Sequence, residues 1–130
     1  MKQFGLWIDN KEQPSVSGRY FDSIDPATGT VWSTVASGGK DDVDRAVASS
    51  WKAFREPDWY DMEPSTRRRL LLAIAGRIVR NRELLAEVES IDSGKLLREC
   101  LLHVDAMVEW FEYFAGMTDN KLTCAPAGFR

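Results

Sequence analysis

The stretch TRRRLLLAIAGRIVRNRELLAEVESIDSGK, residues 66–95, decides the fold of the helical half of this chain. Apolar residues recur at helical spacing on both sides of a break: Leu70, Ile74 and Ile78 before it, and Leu85, Val88 and Ile91 after it. The break falls at Asn81, a residue type that favours helix N-caps. The stretch therefore predicts two helices in tandem or one kinked helix.

The end of this stretch carries an acid in an unusual place. Gly94 stands where a left-handed C-cap belongs, and Lys95 follows near the negative end of the helix dipole. Asp92 lies just inside that cap, where the dipole disfavours an acid. We expect either a partner from elsewhere, such as a cation or a backbone amide, or a solvated carboxylate.

Composition limits the function classes. The chain has 130 residues, the size of one domain, and its 44% apolar and 28% charged content is that of an ordinary globular protein. The net charge of -3, with signs mixed throughout, argues against nucleic-acid or anionic-membrane binding. The cationic cluster at Arg67, Arg68 and Arg69 is more typical of a solvated helix face than of a phosphate site.

The sequence carries no targeting signal that we can identify. No apolar run reaches the length of a transmembrane helix, and the first three residues do not begin a signal peptide. Two cysteines, Cys100 and Cys124, provide no disulfide framework. We therefore expect a cytoplasmic protein.

Before residue 38 the pattern is that of short strands. Segments 6–8 and 20–24 and the returning segment 31–35 are rich in apolar and β-branched residues, and turn-forming residues separate them at 9–11 and 25–29. Residues 1–37 are predicted to form a pair of β-hairpins, too small to stand alone as a sheet.

Two further helices flank the opening stretch. The first begins at Asp41 and has the clearest amphipathic pattern: Val43, Ala46, Val47, Ser50, Trp51 and Phe54. It ends near residues 56–59, and Ser65 is a candidate N-cap for the next helix. The predicted fold class is α+β, with N-terminal β-hairpins followed by a helical layer over residues 38–117.

The last predicted helix, residues 97–114, is apolar on two sides. One stripe comprises Leu97, Leu101, Val104, Val108, Phe111 and Ala115, and the second side comprises Leu102, Trp110, Tyr113 and Phe114. A helix of this kind is usually buried between two layers, and the preceding helices can cover only one side. The second side therefore predicts a partner. Residues 118–130 are predicted to be a linker or a truncated tail.

The residues alone indicate no active site. His103 is the single histidine, and with no nucleophile near it in the pattern we expect a surface or interface residue. Cys100 is predicted to be a small core residue, and Cys124 lacks a nucleophile signature. The spacing of Cys and His does not match a metal site, and residues 38–40 (GGK) lack the remainder of a phosphate loop.

Several segments in a fixed order nevertheless resemble the N-terminal segment of the aldehyde dehydrogenase superfamily. They are LWIDN (6–10), FDSIDPATG (21–29), VA (35–36), DDVDRAV (41–47), RLL (69–71), ESIDSGK (89–95) and EYFAG (112–116). The resemblance covers residues 4 to about 121. Leu96 departs from it, because the family commonly has a proline after the Gly-Lys pair.

The resemblance implies an N-terminal fragment of an enzyme and part of its α/β cofactor-binding domain. The family consists of NAD(P)-dependent enzymes, usually dimers or tetramers, that oxidise aldehydes to carboxylic acids through a cysteine thiohemiacetal. The family's nucleophilic cysteine, catalytic glutamate and glycine-rich cofactor loop lie in later parts of its chain. The resemblance thus implies no catalytic or cofactor-binding residue here, and a chain that is inactive without the remainder of the polypeptide.

One site could carry over. In many members the segment resembling Ser23 and Ile24, with the aspartate resembling Asp92, forms a monovalent cation site, which implies K⁺ or Na⁺. Carbonyl oxygens and one carboxylate suit a hard cation of single charge. The alternative is that Asp92 caps or hydrogen-bonds a neighbouring loop.

Two functions remain open. The first is the N-terminal fragment, which would pack against the cofactor domain of the same oligomeric enzyme. The second is a stand-alone helical protein-interaction module that uses the second apolar side of the last helix. Independent catalysis would need a complete site, which the sequence lacks. Neither the aldehyde nor the choice between NAD and NADP follows from these residues.

Overall fold

The computed structural model describes residues 2–118, a short N-terminal array of strands followed by helices. The strands are β1 (Lys2–Phe4), β2 (Leu6–Ile8), β3 (Lys11–Gln13), β4 (Tyr20–Ile24) and β5 (Val31–Ala36). The helices are α1 (Lys40–Arg55), α2 (Pro57–Tyr60), α3 (Pro64–Arg80), α4 (Arg82–Ser93) and α5 (Leu97–Met117). This order confirms the predicted α+β class. The predicted tail, residues 118–130, lies outside the described residues apart from Thr118.

Both predicted hairpins form, and a third strand joins one of them. β2 pairs with β3 across a turn in which Asp9 and Asn10 have φ angles of 56° and 57°, as two-residue hairpin turns require. β4 and β5 are antiparallel, and β1 pairs with β5 in parallel, which gives the strand order β1-β5-β4. β1 was not predicted, because three residues are too few to show an alternating pattern.

A buried carboxylate fixes the start of α1 beside the strands. Asp42 is 3% exposed and accepts hydrogen bonds from the backbone N–H groups of Val16 (3.0 Å) and Gly39 (2.9 Å) and from Arg45 Nη2 (2.6 Å). The Gly39 N–H is the largest cause that lowers the pKa of Asp42 below its ordinary value of 3.8. The helix begins at Lys40, one residue before the predicted start.

The core of the helical layer lies between α3, α4 and α5. Its buried members are Ile78, Ala86, Cys100 and Val104, and around them pack Ile74, Leu101, Val108 and Phe111. All of these except Ala86 and Cys100 belong to the predicted stripes, and Cys100 is itself predicted to be a core residue. On α4 the prediction is wrong, because Ala86 is buried whereas Leu85 and Ile91 of the predicted stripe are 38% and 40% exposed. Asp105 on α5 binds Arg82 at the start of α4 through two hydrogen bonds of 2.6 Å. No helix in the described part of the chain is long and apolar enough to cross a membrane.

One predicted helix cap is wrong, and the other is confirmed in its position. α3 begins at Pro64, so Ser65 lies inside the first turn. Proline suits that position because it has no N–H to leave unpaired and its φ is already helical. Asn81 separates two helices and stands at the N-cap position of α4, as predicted, where its carbonyl accepts from the Leu85 N–H (2.9 Å). Its side chain makes no bond to α4 and instead donates from Nδ2 to the Arg77 carbonyl of α3 (2.8 Å).

Replacing Asp42 by Asn should lower the melting temperature at pH 7, because the buried site would lose the charge that three donors stabilise. The folded-state pKa of Asp42 is lowered, so its stabilising contribution is full above about pH 4 and declines as the pH falls below the ordinary value of 3.8. The difference between Asp42→Asn and the wild type should therefore shrink on acidification, as measured by thermal unfolding from pH 7 to pH 3.

Asp44→Asn is the matched control, because Asp44 lies on the same helix turn with a 61% exposed side chain paired to Lys40. It should change the melting temperature little. An equal loss in both variants at every pH would contradict the role of Asp42.

Candidate cation site and apolar faces

The strands and the helical layer meet where the end of β4 approaches the last turn of α4. Ser23 Oγ lies 2.6 Å from Asp92 Oδ1, a short hydrogen bond between residues 69 positions apart. An ionised carboxylate can only accept, so the serine hydroxyl donates. Asp92 thus has the predicted partner from elsewhere in the chain, and that partner is a hydroxyl.

A left-handed helix cap holds Asp92 in this position. Gly94 has φ 72° and ψ 8°, and its N–H donates to the Ser90 carbonyl (2.9 Å), which confirms the predicted C-cap. A Cβ at Gly94 would lie 3.1 Å from Cβ of Pro26, which belongs to the turn between β4 and β5. Glycine is therefore needed both for the backbone angle and for the close approach of the turn.

Hydrogen bonds within residues 25–29 stabilise the turn that packs on Gly94. The Asp25 carboxylate accepts from the Ala27 N–H (2.8 Å) and from the Thr28 hydroxyl (3.0 Å). Gly29, with φ 69°, donates its N–H to the Asp25 carbonyl (2.8 Å). The turn residues recognised in the sequence thus place Pro26 against the end of α4.

The predicted cation ligands come together in part. Ser23 and Asp92 touch, and Ile24 follows Ser23 at an irregularity in the β4–β5 register, with its side chain 53% exposed. Ser33, the cross-strand partner of Ser23, is fully buried, and its hydroxyl has no hydrogen-bond partner in the part of the chain that the structure describes. The oxygen groups here are a carboxylate, hydroxyls and backbone carbonyls, which are hard donors that fit a monovalent cation.

Binding by a softer or more highly charged metal has less support. Within residues 2–118 there is no group of three or more His, Cys, Asp or Glu side chains that could hold a metal ion. The alternative prediction, that Asp92 hydrogen-bonds a neighbouring segment, is realised by Ser23. The two predictions are compatible, because that bond involves only Oδ1 of the carboxylate. The cation itself stays a prediction.

Trp32 also contacts the junction between β4 and α4, and the sequence did not predict this contact. Its indole N–H donates to Ser23 Oγ over 3.0 Å, and its ring lies 6.1 Å from that of Phe4 on β1. In the sequence it reads only as an apolar strand residue. Its contact depends on the register of β4 against β5, which periodicity does not reveal.

A second polar cluster lies beyond the cap. Glu89 Oε1 accepts from Lys95 Nζ (2.8 Å) and lies 2.9 Å from Nδ1 of His103, whose side chain is 51% exposed. The lysine is the largest cause that lowers the pKa of Glu89. His103 is thus a surface residue, as predicted, and its carboxylate neighbour ties the second turn of α5 to α4.

Neither cysteine offers a nucleophile within the described structure. Cys100 is fully buried in the helical core, as predicted, and burial is the main cause that raises the pKa of its thiol. A thiol in this state is inert, because the reactive form is the thiolate. Cys124 lies outside the described residues.

Two helix faces remain open. We call the exposed side chains on the outer side of α5 the α5 face: Leu102 (65% exposed), Trp110 (68%), Tyr113 (62%) and Phe114 (54%). This is the predicted second apolar side. The α1 face comprises Val43, Val47, Trp51 and Phe54, which belong to the predicted amphipathic pattern of that helix and are each 50–58% exposed. α1 packs mainly on α2 and β2.

The total accessible surface area also indicates that apolar side chains are left uncovered. The accessible area is 10210 Å², whereas a compact monomer of 14.7 kDa exposes about 7,000 Å². The exposed side chains of the α1 and α5 faces contribute to this excess, and apolar surface of this kind is typical of a binding surface.

Residues 2–118 thus form an α+β segment whose strands and helices meet at a serine–aspartate junction. The chain belongs to the aldehyde dehydrogenase family, whose profile matches residues 13–125.

Relatives of known sequence span far more than this chain. It is 34% identical over 120 residues to (Z)-2-((N-methylformamido)methylene)-5-hydroxybutyrolactone dehydrogenase of Acinetobacter baylyi. It is 38% identical over 117 residues to the mitochondrial aldehyde dehydrogenase of Equus caballus. The alignments cover 92% and 88% of this chain but 24% and 23% of the relatives. The chain thus spans about a quarter of their length.

Solved structures agree with this assignment. A betaine aldehyde dehydrogenase double mutant from Staphylococcus aureus, in complex with NAD⁺, superposes with a TM-score of 0.87 at 34% identity, over 92% of this chain and 24% of that chain. An NAD-dependent aldehyde dehydrogenase from Sinorhizobium meliloti gives 0.85 at 30% identity, over 90% and 24%. The matched part is the N-terminal, cofactor-binding region of these enzymes.

Gly94→Ala should destabilise the chain by about 1–2 kcal/mol, because a Cβ is disfavoured at positive φ and would crowd Pro26. The measurement is the free energy of unfolding from urea titration. Gly116→Ala is the matched control, since nothing lies within 4 Å of its added Cβ and helical alanine is favourable. An unchanged free energy for Gly94→Ala would show that the junction tolerates rearrangement.

Proposed function

We propose that this chain is the N-terminal part of an NAD(P)-dependent aldehyde dehydrogenase and that the remainder of the polypeptide covers its α1 and α5 faces. The single observation that carries the proposal is the exposure of these two faces in a chain that spans about a quarter of its relatives. In this arrangement the chain supplies strands and a helical layer to the cofactor-binding domain.

The chemistry then belongs to the remainder of the protein. That part supplies the cysteine that attacks the aldehyde carbonyl, the glutamate that activates water and the cofactor loop, and the product is a carboxylate. The buried thiol of Cys100 supports this division, because it is unsuited to nucleophilic attack. The cofactor is NAD or NADP, and two structural relatives are described as NAD-dependent or NAD⁺-bound.

We further propose a homo-oligomeric enzyme in the cytoplasm. The relatives include a cytosolic 10-formyltetrahydrofolate dehydrogenase from Xenopus laevis as well as the mitochondrial horse enzyme, so the family itself does not select one compartment. The low cysteine content supports the cytoplasm.

The stand-alone interaction module remains the second candidate, because the same exposed faces would serve it. The two differ in what covers the α5 face. An enzyme covers that face with its own polypeptide, so the face is inaccessible and required for folding of the whole. A module keeps it free for a separate protein.

The proposal predicts that the 130-residue chain does not oxidise aldehydes, whereas the complete reading frame that contains it does, with NAD⁺ or NADP⁺ reduction followed at 340 nm (about the usual absorbance maximum of the reduced cofactor). Trp110→Ser in the complete protein should reduce soluble assembly and activity strongly, because the buried position would lose most of its apolar contact. The same change in the isolated chain should leave the melting temperature nearly unchanged.

Glu109→Ser is the matched control on the neighbouring position of α5, and it should be tolerated in both contexts. Turnover by the isolated chain would contradict the proposal. A reading frame ending at Arg130, with the chain a monodisperse monomer, would favour the interaction module.

We also propose that Asp92, with Ser23 and Ile24, holds K⁺ or Na⁺ in the complete enzyme. The support is the group of oxygen donors at the β4–α4 junction and the single negative charge that faces it. A cation there would offset the repulsion between Asp92 and the negative end of α4.

Adding KCl in place of choline chloride at constant ionic strength should raise the melting temperature of the complete protein, because a ligand that binds only the folded state stabilises it. Asp92→Asn should abolish the K⁺-specific part of the rise. Asp22→Asn, on the same strand but cross-strand from Thr34, is the control that should retain it. Equal responses to KCl and choline chloride would exclude the site.

A further inference from the structure

We infer that Trp32 is the positioning residue of the Asp92 site: its indole N–H fixes the Ser23 hydroxyl so that this hydroxyl always donates to Asp92. The inference rests on the proposed cation site and names the residue that prepares it. The observation behind it is the continuous chain of two hydrogen bonds, Trp32 Nε1 to Ser23 Oγ (3.0 Å) and Ser23 Oγ to Asp92 Oδ1 (2.6 Å).

The strand register brings Trp32 to this place. Ser23 pairs with Ser33 and Ile24 pairs with Val31, so Trp32 has no Cα partner on β4. It is the extra residue of a β-bulge, and bulges redirect side chains away from the regular alternation. The Phe4 ring, tilted by 59° to the indole, packs against Trp32 from the parallel strand β1. A strand that the sequence did not reveal thus holds the indole in place.

The direction of both hydrogen bonds follows from the chemistry of the groups. An indole nitrogen can only donate, and an ionised carboxylate can only accept. Ser23 must therefore accept from Trp32 and direct its single hydrogen to Asp92. Without the indole donor, the hydroxyl could rotate toward any nearby acceptor, since serine rotors are otherwise free.

The consequence for Asp92 is a fixed carboxylate with one oxygen already engaged. Asp92 stands in the last turn of α4, two residues before the Gly94 cap, where the helix dipole opposes its charge. A short hydrogen bond from a hydroxyl that is itself held by a donor offsets this opposition. Metal ligands held by such partners bind more tightly, because less ordering remains to be done on binding.

The exposed fractions of Trp32 and Ile24 agree with a positioning role for Trp32. Trp32 is partly buried and makes no contribution to the α1 or α5 face, whereas Ile24 on the neighbouring strand is 53% exposed. The indole therefore acts from inside the sheet, and the outer side of the junction stays accessible to an ion from solvent.

The test compares Trp32→Phe with the wild type in the complete protein. Phenylalanine keeps an aromatic ring next to Phe4 but has no N–H. The readout is the KCl concentration at half of the K⁺-specific rise in melting temperature, with choline chloride holding the ionic strength constant. Losing one positioning hydrogen bond should raise this midpoint about three- to tenfold.

Trp7→Phe is the matched control, since Trp7 is a 70% exposed tryptophan on β2 with no hydrogen bond to the junction. Its midpoint should equal that of the wild type. If Trp32→Phe fails to fold, Ser23→Ala replaces it, because this change removes the hydroxyl that links Trp32 to Asp92 and should raise the midpoint as well.

The outcomes separate the two proposals. A wild-type protein without any K⁺-specific response removes the cation site, and the positioning role with it. A wild type that responds, together with an unchanged midpoint in Trp32→Phe, retains the cation site and overturns the role of Trp32. A raised midpoint in Trp32→Phe but not in Trp7→Phe supports both.

Discussion

The structure depends on the contact between the turn at Pro26 and the end of α4. There the strands and the helical layer are joined by the approach of Pro26 to Gly94 and by the bond between Ser23 and Asp92. A Cβ at position 94 would lie 3.1 Å from Pro26 and would require the turn to shift. The same junction is where we place a cation. Fold and proposed site therefore use one set of contacts, and a change that disturbs either affects both.

Polar links between α4 and α5 hold the helical layer together. Arg82 and Asp105 fasten the beginning of α4 to α5, and Glu89 with Lys95 and His103 fastens its end. These polar links involve none of the side chains of the α5 face, which has Glu109 beside Trp110 and Phe114. Other residues therefore tie together the helices that carry the exposed apolar side chains.

The sequence predicted the helices and strands of this fold better than the contacts between them. Periodicity located α3, α4 and α5 and most core residues of α3 and α5, because a repeated pattern over several turns is hard to produce by chance. On α4 it selected Leu85 and Ile91, whereas the buried residue is Ala86. Gly94 and the 25–29 turn were recognised because their residue types have few alternative uses. Short-range signals failed where tertiary context decides: Ser65 could cap a helix but lies inside one, and Asn81 stands at the start of α4 as predicted but bonds through its side chain to the end of α3. The α1 face could not be foreseen, because an amphipathic pattern does not tell whether the covering surface is in the same segment.

The candidate cation site was also predictable only in part. The unfavourable position of Asp92 indicated either a partner or a solvated carboxylate, and the identity of the partner depends on an approach across 69 residues that no local pattern records. The proposed role of Trp32 could not be predicted, because it depends on a β-bulge in the β4–β5 pairing and on β1, a strand of three residues. Resemblance to a family supplied Ser23 and Ile24, and the bond between Ser23 and Asp92 gives that suggestion a physical basis.

The exposed faces also bear on synthesis. In a polypeptide of the relatives' length, the α1 and α5 faces leave the ribosome first, and nearly 400 residues follow; at about 5–20 residues per second they wait roughly 20–80 s for their cover. During that interval the large aromatic side chains of the two faces, Trp51, Phe54, Trp110, Tyr113 and Phe114, would be exposed to solvent. A nascent chain of that kind presents aggregation-prone surface until the rest of the polypeptide has been synthesised.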